Sequence, residues 1–192
     1  MQIERIIADV ETLGPGKRIC IWVNGCKRRC KGCVSPELQA FQTKNECDVV
    51  GLLKKFRPNA STAITVSGGE PFEQTTELAE LVKYLRGCGV EDILVYTGYT
   101  VEELRARETE TENTLYILNN IGVLIDGPYI DELNFDVGNL KGSENQRVIF
   151  MNPRLKKKYG GYTSDVRKMQ EYYVFPHVVG VGIPTKEYVK KF

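Results

Sequence analysis

The chain has 192 residues, of which 42% are hydrophobic and 27% are charged, and its formal net charge is +1 at pH 7. These values are typical of one soluble globular domain and give no overall attraction to nucleic acid or to membranes. No apolar run approaches the roughly 20 residues of a membrane-spanning helix, and the first residues lack the order of a secretory signal. We therefore expect a single domain, residues 1–192, in the cytoplasm, where thiols stay reduced.

The first half of the chain alternates predicted strands and helices. Residues 3–10 are a weak strand candidate, whereas 18–23 is the β-branched, mostly apolar run of a buried strand. Apolar residues at helical spacing predict a helix over 47–56, and a short β-branched strand follows at 62–66. The next helix, 74–86, has one apolar face.

The alternation continues through the middle of the chain. A strand is predicted at 93–96, and Thr100 with Glu103 fits a capping box that opens the next helix. A further helix is predicted within 113–119, and a strand at 122–125. This order of elements predicts an α/β fold whose sheet is mostly parallel, with helices as the crossovers.

The pattern weakens in the last third of the chain. Residues 131–146 are polar and loop-like, and 147–150 is a strand candidate. The lysine-rich run 156–161 is predicted to be a basic turn. Two apolar runs, 172–175 and 178–181, predict a terminal hairpin.

Four unusual loops directly follow predicted strands. The first carries three cysteines at C-x3-C-x2-C spacing, and the second is Ser67-Gly68-Gly69-Glu70-Pro71. The third is Thr97-Gly98-Tyr99 and the fourth is Asp126-Gly127-Pro128. In parallel sheets, binding and catalytic sites collect at the carboxyl ends of the strands. The functional site is therefore predicted at this edge of the sheet.

The thiols of Cys26, Cys30 and Cys33 can fold onto one metal centre and leave one coordination position open. Where thiols stay reduced, clustered cysteines indicate a metal or catalytic site before they indicate disulfides. Structural zinc is one interpretation, with the lone His177 as the fourth ligand. It is disfavoured because structural zinc usually takes its ligands in pairs.

Three further interpretations of the cysteine loop stay open on the residues alone. A simple electron-transfer iron–sulfur protein would use four cysteines, but Cys20, Cys47 and Cys88 are scattered in apolar patterns and are predicted to be core thiols. The clustering could also be a coincidence. The last interpretation is a [4Fe–4S] cluster held by three thiolates, with one iron free to bind a substrate or a cofactor.

The cysteine loop after one strand, with the Gly68-Gly69-Glu70 turn after the next, resembles the radical S-adenosylmethionine superfamily. The resemblance implies that the methionine amino and carboxylate groups of S-adenosylmethionine chelate the open iron of a [4Fe–4S] cluster. It also implies that the backbone of Gly68 and Gly69 approaches this ligand closely, since neither has a side chain, and that Glu70 pairs with its ammonium group. The implied reaction is reductive cleavage to a 5′-deoxyadenosyl radical, which abstracts a hydrogen atom.

Further stretches resemble one branch of that superfamily, the activating enzymes of glycyl-radical proteins such as anaerobic ribonucleotide reductase. They are Gly14-Pro15-Gly16-Lys17-Arg18, Asn24-Gly25-Cys26, Gly32-Cys33, Tyr96-Thr97-Gly98-Tyr99-Thr100, Asp126-Gly127-Pro128-Tyr129 and Gly142-Ser143-Glu144-Asn145-Gln146-Arg147. The resemblance implies an anaerobic oxidoreductase that makes a glycyl radical on a large partner reductase. Another protein, a peptide or a metabolite as substrate is the alternative, and a cluster- or zinc-binding protein without turnover is the alternative outside enzymes.

The resemblance covers a core of about residues 12–150 and implies an incomplete β/α barrel whose wide mouth admits a protein loop. Residues 151–192 form a C-terminal extension that we expect to pack on the core. Val34 departs from the family, which often has an aromatic residue after the last cysteine. The remaining implied cofactor contacts come from the strand ends: Gly32, Cys33, Val34, Thr97, Tyr99 and Asp126.

Four basic residues lie in the cysteine loop: Lys27, Arg28, Arg29 and Lys31. One hypothesis is that they dock an acidic electron donor such as a flavodoxin or a ferredoxin-type protein. The alternative is a solvated loop. Neither a nucleic acid nor a membrane is expected as a partner.

Overall fold

Six strands pair side by side in the order in which they occur in the chain, and two more form a separate hairpin. The computed structural model describes residues 1–107, 111–135, 138–174 and 176–189. The strands are β1 (Ile3–Val10), β2 (Arg18–Val23), β3 (Ala63–Gly68), β4 (Asp92–Tyr96), β5 (Val123–Asp126), β6 (Arg147–Phe150), β7 (Met169–Val174) and β8 (His177–Gly182). The helices are α1 (Val49–Lys54), α2 (Thr75–Gly87), α3 (Val101–Ala106), α4 (Thr111–Asn120), α5 (Lys156–Ser164) and α6 (Lys186–Val189).

The four central strands, β2 to β5, are parallel, and each edge strand is antiparallel to its neighbour. Ile21, Val66, Val95 and Leu124 are aligned across the four central strands, so their side chains form one buried row. The predicted α/β fold with a mostly parallel sheet is confirmed. Because β2 to β5 run in one direction, their carboxyl ends lie at the same edge of the sheet.

Helices α1 to α4 cover one face of the sheet. In helix α2 this packing follows from the sequence, because its apolar residues recur at helical spacing. They are fully buried against the strands: Leu78, Leu81, Val82 and Leu85. The capping box predicted at the start of α3 is present, with Thr100 and Glu103 bonding reciprocally. No helix within the described ranges has the length and apolar character that crossing a membrane requires.

The C-terminal extension packs on the opposite face of the sheet. Leu155 and Tyr159 belong to a buried cluster with Leu94 of β4 and with β5. Val181 of the hairpin is buried with Val10 and other residues of β1 and β2. The hairpin predicted from the two apolar runs is confirmed, although residue 175 lies outside the described residues. The extension therefore buries apolar surface that the first 150 residues leave open.

The prediction of a basic turn at 156–161 is wrong, because these residues belong to helix α5. The sequence Lys-Lys-Lys-Tyr-Gly-Gly has no apolar stripe, and its two glycines have a poor helix propensity. Its helix is held by tertiary contacts instead, since Tyr159 is completely buried and its hydroxyl donates to Asp92 at 2.6 Å. Packing of this kind commonly overrides local propensity.

Asp92 is the centre of a buried ionic network at the amino ends of the strands. Arg18, fully buried, donates to both of its carboxylate oxygens at 2.9 and 3.1 Å, and Lys158 of α5 donates at 2.7 Å. Burial acts to raise the pKa of Asp92, but the hydrogen bonds and charge of Arg18 outweigh it and hold this pKa below its ordinary value. The Gly-Pro-Gly-x-Arg lead-in thus has a structural role, at the end of the strands opposite the cysteine loop.

Candidate functional site

A cavity lies at the carboxyl ends of the parallel strands, where the sequence predicts the site. It holds about 900 Å³ of empty space, counting the part that opens to solvent. Its walls come from the cysteine loop, the turn after β3, the end of β4, the segment between β5 and β6, and the C-terminal extension. The last two walls contribute Tyr129, Asn134, Gly142, Gln146, Ile183 and Pro184.

All three cysteines of the first loop line this cavity. Each is a free, half-buried thiol. The loop is closed on itself, because the Cys33 amide donates to the carbonyl of Cys30 at 3.3 Å and the Cys26 amide donates to the carbonyl of Gln39 at 3.0 Å. Burial raises the pKa of the Cys26 thiol, so a metal that binds there must displace its proton.

The structure does not bring His177, the candidate fourth zinc ligand, to the cavity that the three thiols line. Within the described ranges, no three His, Cys, Asp or Glu side chains converge on one point that could hold a metal ion, whereas a zinc site needs thiolates about 2.3 Å from the ion. His177 begins β8, is exposed, and does not contribute to the cavity wall. A [4Fe–4S] cluster binds each thiolate at a different iron, so three thiolates leave one iron without a protein ligand.

Gly68, the last residue of β3, and Gly69 allow the turn to pack against the backbone that leads into the cysteine loop. The Gly69 amide donates to the carbonyl of Val23 at 2.7 Å, and the Glu70 amide donates to that of Gly25 at 2.8 Å. A methyl group on Gly69 would lie 2.4 Å from the Gly25 oxygen, and one on Gly68 would lie 2.4 Å from the Val23 nitrogen. Both glycines are therefore required by packing, whatever ligand their backbone contacts.

Glu70 lines the cavity but is only 1% exposed. Its Oε1 accepts hydrogen bonds from the Phe72 amide at 3.0 Å and from the Thr97 hydroxyl at 2.9 Å, and its Oε2 accepts from the Gly98 amide at 2.7 Å. Burial raises the pKa of Glu70 to about 7. A carboxylate has about four acceptor positions, so one remains for a donor on a ligand.

The structure brings six of the nine predicted cofactor-contact residues to the cavity. These six are Cys33, Val34, Gly68, Gly69, Glu70 and Thr97. Gly32, Tyr99 and Asp126 lie outside the cavity wall formed by the described residues. Gly32 has a positive φ of 71°, and a methyl group on it would lie 3.0 Å from the Asp131 carboxyl. The contacts of all nine with a cofactor remain a prediction.

Tyr99 and Asp126 instead hold the walls of the site in place. The Tyr99 hydroxyl donates to Glu73 at 2.6 Å, and the guanidinium carbons of Arg28 and Arg107 each lie 4.7 Å from the centre of its ring. Asp126 is fully buried and accepts hydrogen bonds from the Val101 amide and from Arg147.

Two motifs that are separate in the sequence are hydrogen-bonded to each other in the structure. The Asp126-Gly127-Pro128 loop and the Asn145-Gln146-Arg147 segment are joined by three side chains. Arg147 donates to Asp126 at 2.9 Å, Gln146 donates to the Gly127 carbonyl at 3.0 Å, and Asn145 donates to the Pro128 carbonyl at 2.7 Å. This joint fixes the wall of the cavity beyond β5.

Arg28 is a site residue that sequence reasoning assigned elsewhere. It lies in the cavity wall with 21% of its side chain exposed, and it reaches Glu103 at 3.9 Å. Its neighbours are also paired within the chain, Lys27 with Glu73 at 2.6 Å and Lys31 with Glu132 at 3.2 Å. The charges of the loop therefore serve partly to attach it to the helices and loops around it.

Comparisons with known proteins support a cluster site. Residues 12–149 match the family described as a 4Fe-4S single cluster domain. The anaerobic ribonucleoside-triphosphate reductase-activating proteins of Escherichia coli (strain K12) and Salmonella typhi are each 31% identical to this chain over 144 residues, which is 70% of this chain and 89% of each relative. The protein of that name from Enterobacteria phage T4 is 29% identical over 157 residues, 77% of this chain and 93% of the relative.

Proposed function

This chain belongs to the family of anaerobic ribonucleoside-triphosphate reductase-activating proteins, and we propose that it generates a glycyl radical on such a reductase. It is a radical S-adenosylmethionine enzyme with one [4Fe–4S] cluster. The observation that carries this function is the shared cavity: three thiols and the Gly68-Gly69-Glu70 turn line it together, at the carboxyl ends of parallel strands.

The residues present suit these cofactors. Cys26, Cys30 and Cys33 would hold the cluster and leave one iron without a protein ligand. The cofactors supply, when bound, the one-electron cleavage that yields methionine and a 5′-deoxyadenosyl radical for hydrogen abstraction from a glycine Cα. Glu70 would accept a hydrogen bond from the amino group of S-adenosylmethionine with its remaining acceptor position. Thr97 and the Gly98 amide keep that carboxylate in place.

We infer that the sheet curves into an incomplete barrel around this cavity. One face carries the four helices, and the residues beyond β5 and β8 reach round to the same cavity as the cysteine loop. A curved sheet would leave an opening wide enough for a loop of a protein substrate. The six free cysteines are consistent with a cytoplasmic location, where thiols stay reduced.

Anaerobic reconstitution tests the enzymatic function directly. The reconstituted protein should bind four irons per chain, in keeping with a 4Fe-4S domain, and should form 5′-deoxyadenosine when S-adenosylmethionine and dithionite are added. A colourless zinc protein, or a reduced cluster that leaves S-adenosylmethionine intact, would contradict the proposal.

The buried carboxyl of Glu70 predicts that cofactor binding depends on pH. Because the pKa of Glu70 is raised to about 7, the group is ionised above this pH and protonated below it, and the ionised form is the stronger hydrogen-bond acceptor. The affinity of the reconstituted protein for S-adenosylmethionine should therefore fall by up to about tenfold for each pH unit below 7. In Glu70→Gln the affinity should be lower at pH 8 and nearly independent of pH. Equal pH profiles for the two proteins would remove Glu70 from this role.

We also propose that an acidic flavodoxin or ferredoxin-type donor docks on the exposed side of the cysteine loop. Arg29 and Lys31 are exposed there, and opposite charges speed association at low salt. The double variant Arg29→Glu/Lys31→Glu should slow reduction by flavodoxin about tenfold at low ionic strength and leave reduction by dithionite unchanged. Lys54→Glu, on α1, is the control. An unchanged rate with flavodoxin across ionic strengths would exclude this docking site.

A further inference from the structure

The C-terminal extension supplies part of the cavity wall. Ile183 and Pro184 line the same cavity as the three cysteines, and they directly follow β8. The end of β8 is fixed, because Val181 is 2% exposed and its carbonyl accepts a hydrogen bond from the Thr12 hydroxyl at 2.9 Å. The position of this wall relative to the sheet is therefore set by contacts with the segment between β1 and β2.

Arg167 joins this wall to the one beyond β5. Its guanidinium donates to the carbonyls of Pro184 at 3.2 Å, Lys141 at 2.6 Å and Gly142 at 3.2 Å. It also donates to Oδ1 of Asn134 at 2.7 Å. Asn134, Gly142 and Pro184 all line the cavity. We call this set of bonds the Arg167 clasp; a planar guanidinium with five donors is suited to such a set.

Three exposed apolar side chains belong to the cavity wall or are next in the chain to residues of the wall and the clasp, and we call them the apolar rim. They are Val34 at 53%, Phe135 at 51% and Val166 at 72% exposure. Val34 is itself in the cavity wall, Phe135 follows Asn134, and Val166 precedes Arg167.

The segments that carry the rim are bonded to each other. Lys31 of the cysteine loop donates to Glu132 at 3.2 Å. Arg167 donates to Asn134, next to Phe135. Exposed apolar side chains on neighbouring segments that are bonded to each other are typical of protein-binding surfaces.

We propose that the apolar rim and the Arg167 clasp form the docking site for the glycine-bearing loop of the reductase. This inference rests on the proposed function, in which the substrate is a glycine within a large protein. Its Cα must enter the cavity, so the surface of that protein must lie against the rim. The clasp bonds the two walls of this cavity to each other and so keeps them at a fixed separation.

The first test measures binding, with a substitution that has no packing role. Val166→Asp, at a site 72% exposed, should weaken the affinity of the reconstituted protein for the reductase at least about tenfold. Formation of 5′-deoxyadenosine without reductase reports on the cofactor site and should not change. Leu115→Asp is the matched control, because Leu115 is 40% exposed on α4, which packs on the other face of the sheet. It should bind the reductase like the wild type.

The second test measures how tightly the cleavage of S-adenosylmethionine is coupled to radical formation on the reductase. Arg167→Gln should lower the number of glycyl radicals formed per 5′-deoxyadenosine, by as much as about 100-fold if the substrate loop is misplaced by about 1 Å. Arg167→Lys should recover only part of that ratio, since an ammonium group cannot bridge so many acceptors.

The outcomes separate this inference from the function on which it rests. A wild-type protein that neither binds nor activates the reductase would contradict the proposed function itself. A wild type that activates the reductase, with Val166→Asp and Arg167→Gln behaving identically to it, would overturn the docking site alone. Equal weakening by Val166→Asp and Leu115→Asp would also overturn it. If Arg167→Gln does not fold, the binding test with Val166→Asp decides.

Discussion

Replacing Cys30 by serine is expected to abolish the formation of 5′-deoxyadenosine. Cys30 lies in the cavity wall between the other two thiols of the loop, and a serine hydroxyl is a poor ligand for iron–sulfur clusters, which prefer thiolates. With two thiolates left, the cluster should be lost or degraded. The iron content after anaerobic reconstitution should fall well below four per chain, and the product should fall to the level of a reaction without protein.

The control for this experiment is Cys88→Ser. Cys88 is a free, half-buried thiol after α2, and it packs with the helix-side core rather than lining the cavity. This variant should keep its irons and most of its activity. A Cys30→Ser protein with four irons and normal turnover, or a Cys88→Ser protein without a cluster, would show that the wrong cysteines have been assigned.

Replacing Gly69 by alanine is expected to damage both the fold and the cluster site. The new methyl carbon would lie 2.4 Å from the Gly25 oxygen and 2.9 Å from the Leu38 oxygen. Both are backbone atoms, so the strain cannot be relieved by rotating a side chain. Overpacking of this kind costs about 1–3 kcal/mol of unfolding free energy. The backbone that leads into Cys26 would shift as well, and a displacement of about 1 Å can lower turnover about 100-fold.

Gly87→Ala is the matched control for Gly69→Ala. Gly87 is the last residue of α2, and no described atom lies within 4 Å of a methyl group built on it. Its unfolding free energy should stay constant or rise by less than about 1 kcal/mol. Urea unfolding of the apo proteins measures the unfolding free energy. The iron content and the yield of 5′-deoxyadenosine of the reconstituted proteins report on the cluster site. Gly69→Ala with wild-type values in both measurements would contradict the packing argument.

The central strands and the place of the site could be predicted from the sequence because both depend on short-range patterns. The β-branched runs of β2 to β5 are local, and each is followed by an unusual loop. Parallel pairing then places those loops at one edge, whatever the details of the packing. The meeting of Cys26, Cys30 and Cys33 with Gly68, Gly69 and Glu70 in one cavity follows from that rule.

The direction of individual side chains in those loops could not be predicted. Thr97 and Tyr99 are two residues apart, yet Thr97 is in the cavity wall and Tyr99 is held outside it by Glu73 and two arginines. Asp126 is opposite Arg147 in the register of β5 with β6, and this antiparallel pairing turns a candidate ligand contact into an ion pair between a buried carboxylate and an exposed arginine. Such contacts depend on long-range register, which no single motif contains.

The C-terminal extension was the least predictable part of the chain. Helix α5 has no apolar stripe of its own. It depends on the hydrogen bond from its Tyr159 to Asp92, which precedes Tyr159 by about one-third of the chain. The Arg167 clasp likewise uses carbonyls of a polar segment with no regular pattern. The family match ends at residue 149, so the walls that the extension adds to the cavity lie beyond the span that the 4Fe-4S domain describes.

The most direct test of the central proposal is an electron paramagnetic resonance measurement on the reductase. The reconstituted protein is mixed without oxygen with S-adenosylmethionine, a reductant and an anaerobic ribonucleoside-triphosphate reductase. We expect a glycyl-radical signal that requires all four components and that disappears with Cys30→Ser or when the radical-bearing glycine of the reductase is replaced by alanine. Formation of 5′-deoxyadenosine with no radical on the reductase would contradict the proposal and point to another substrate.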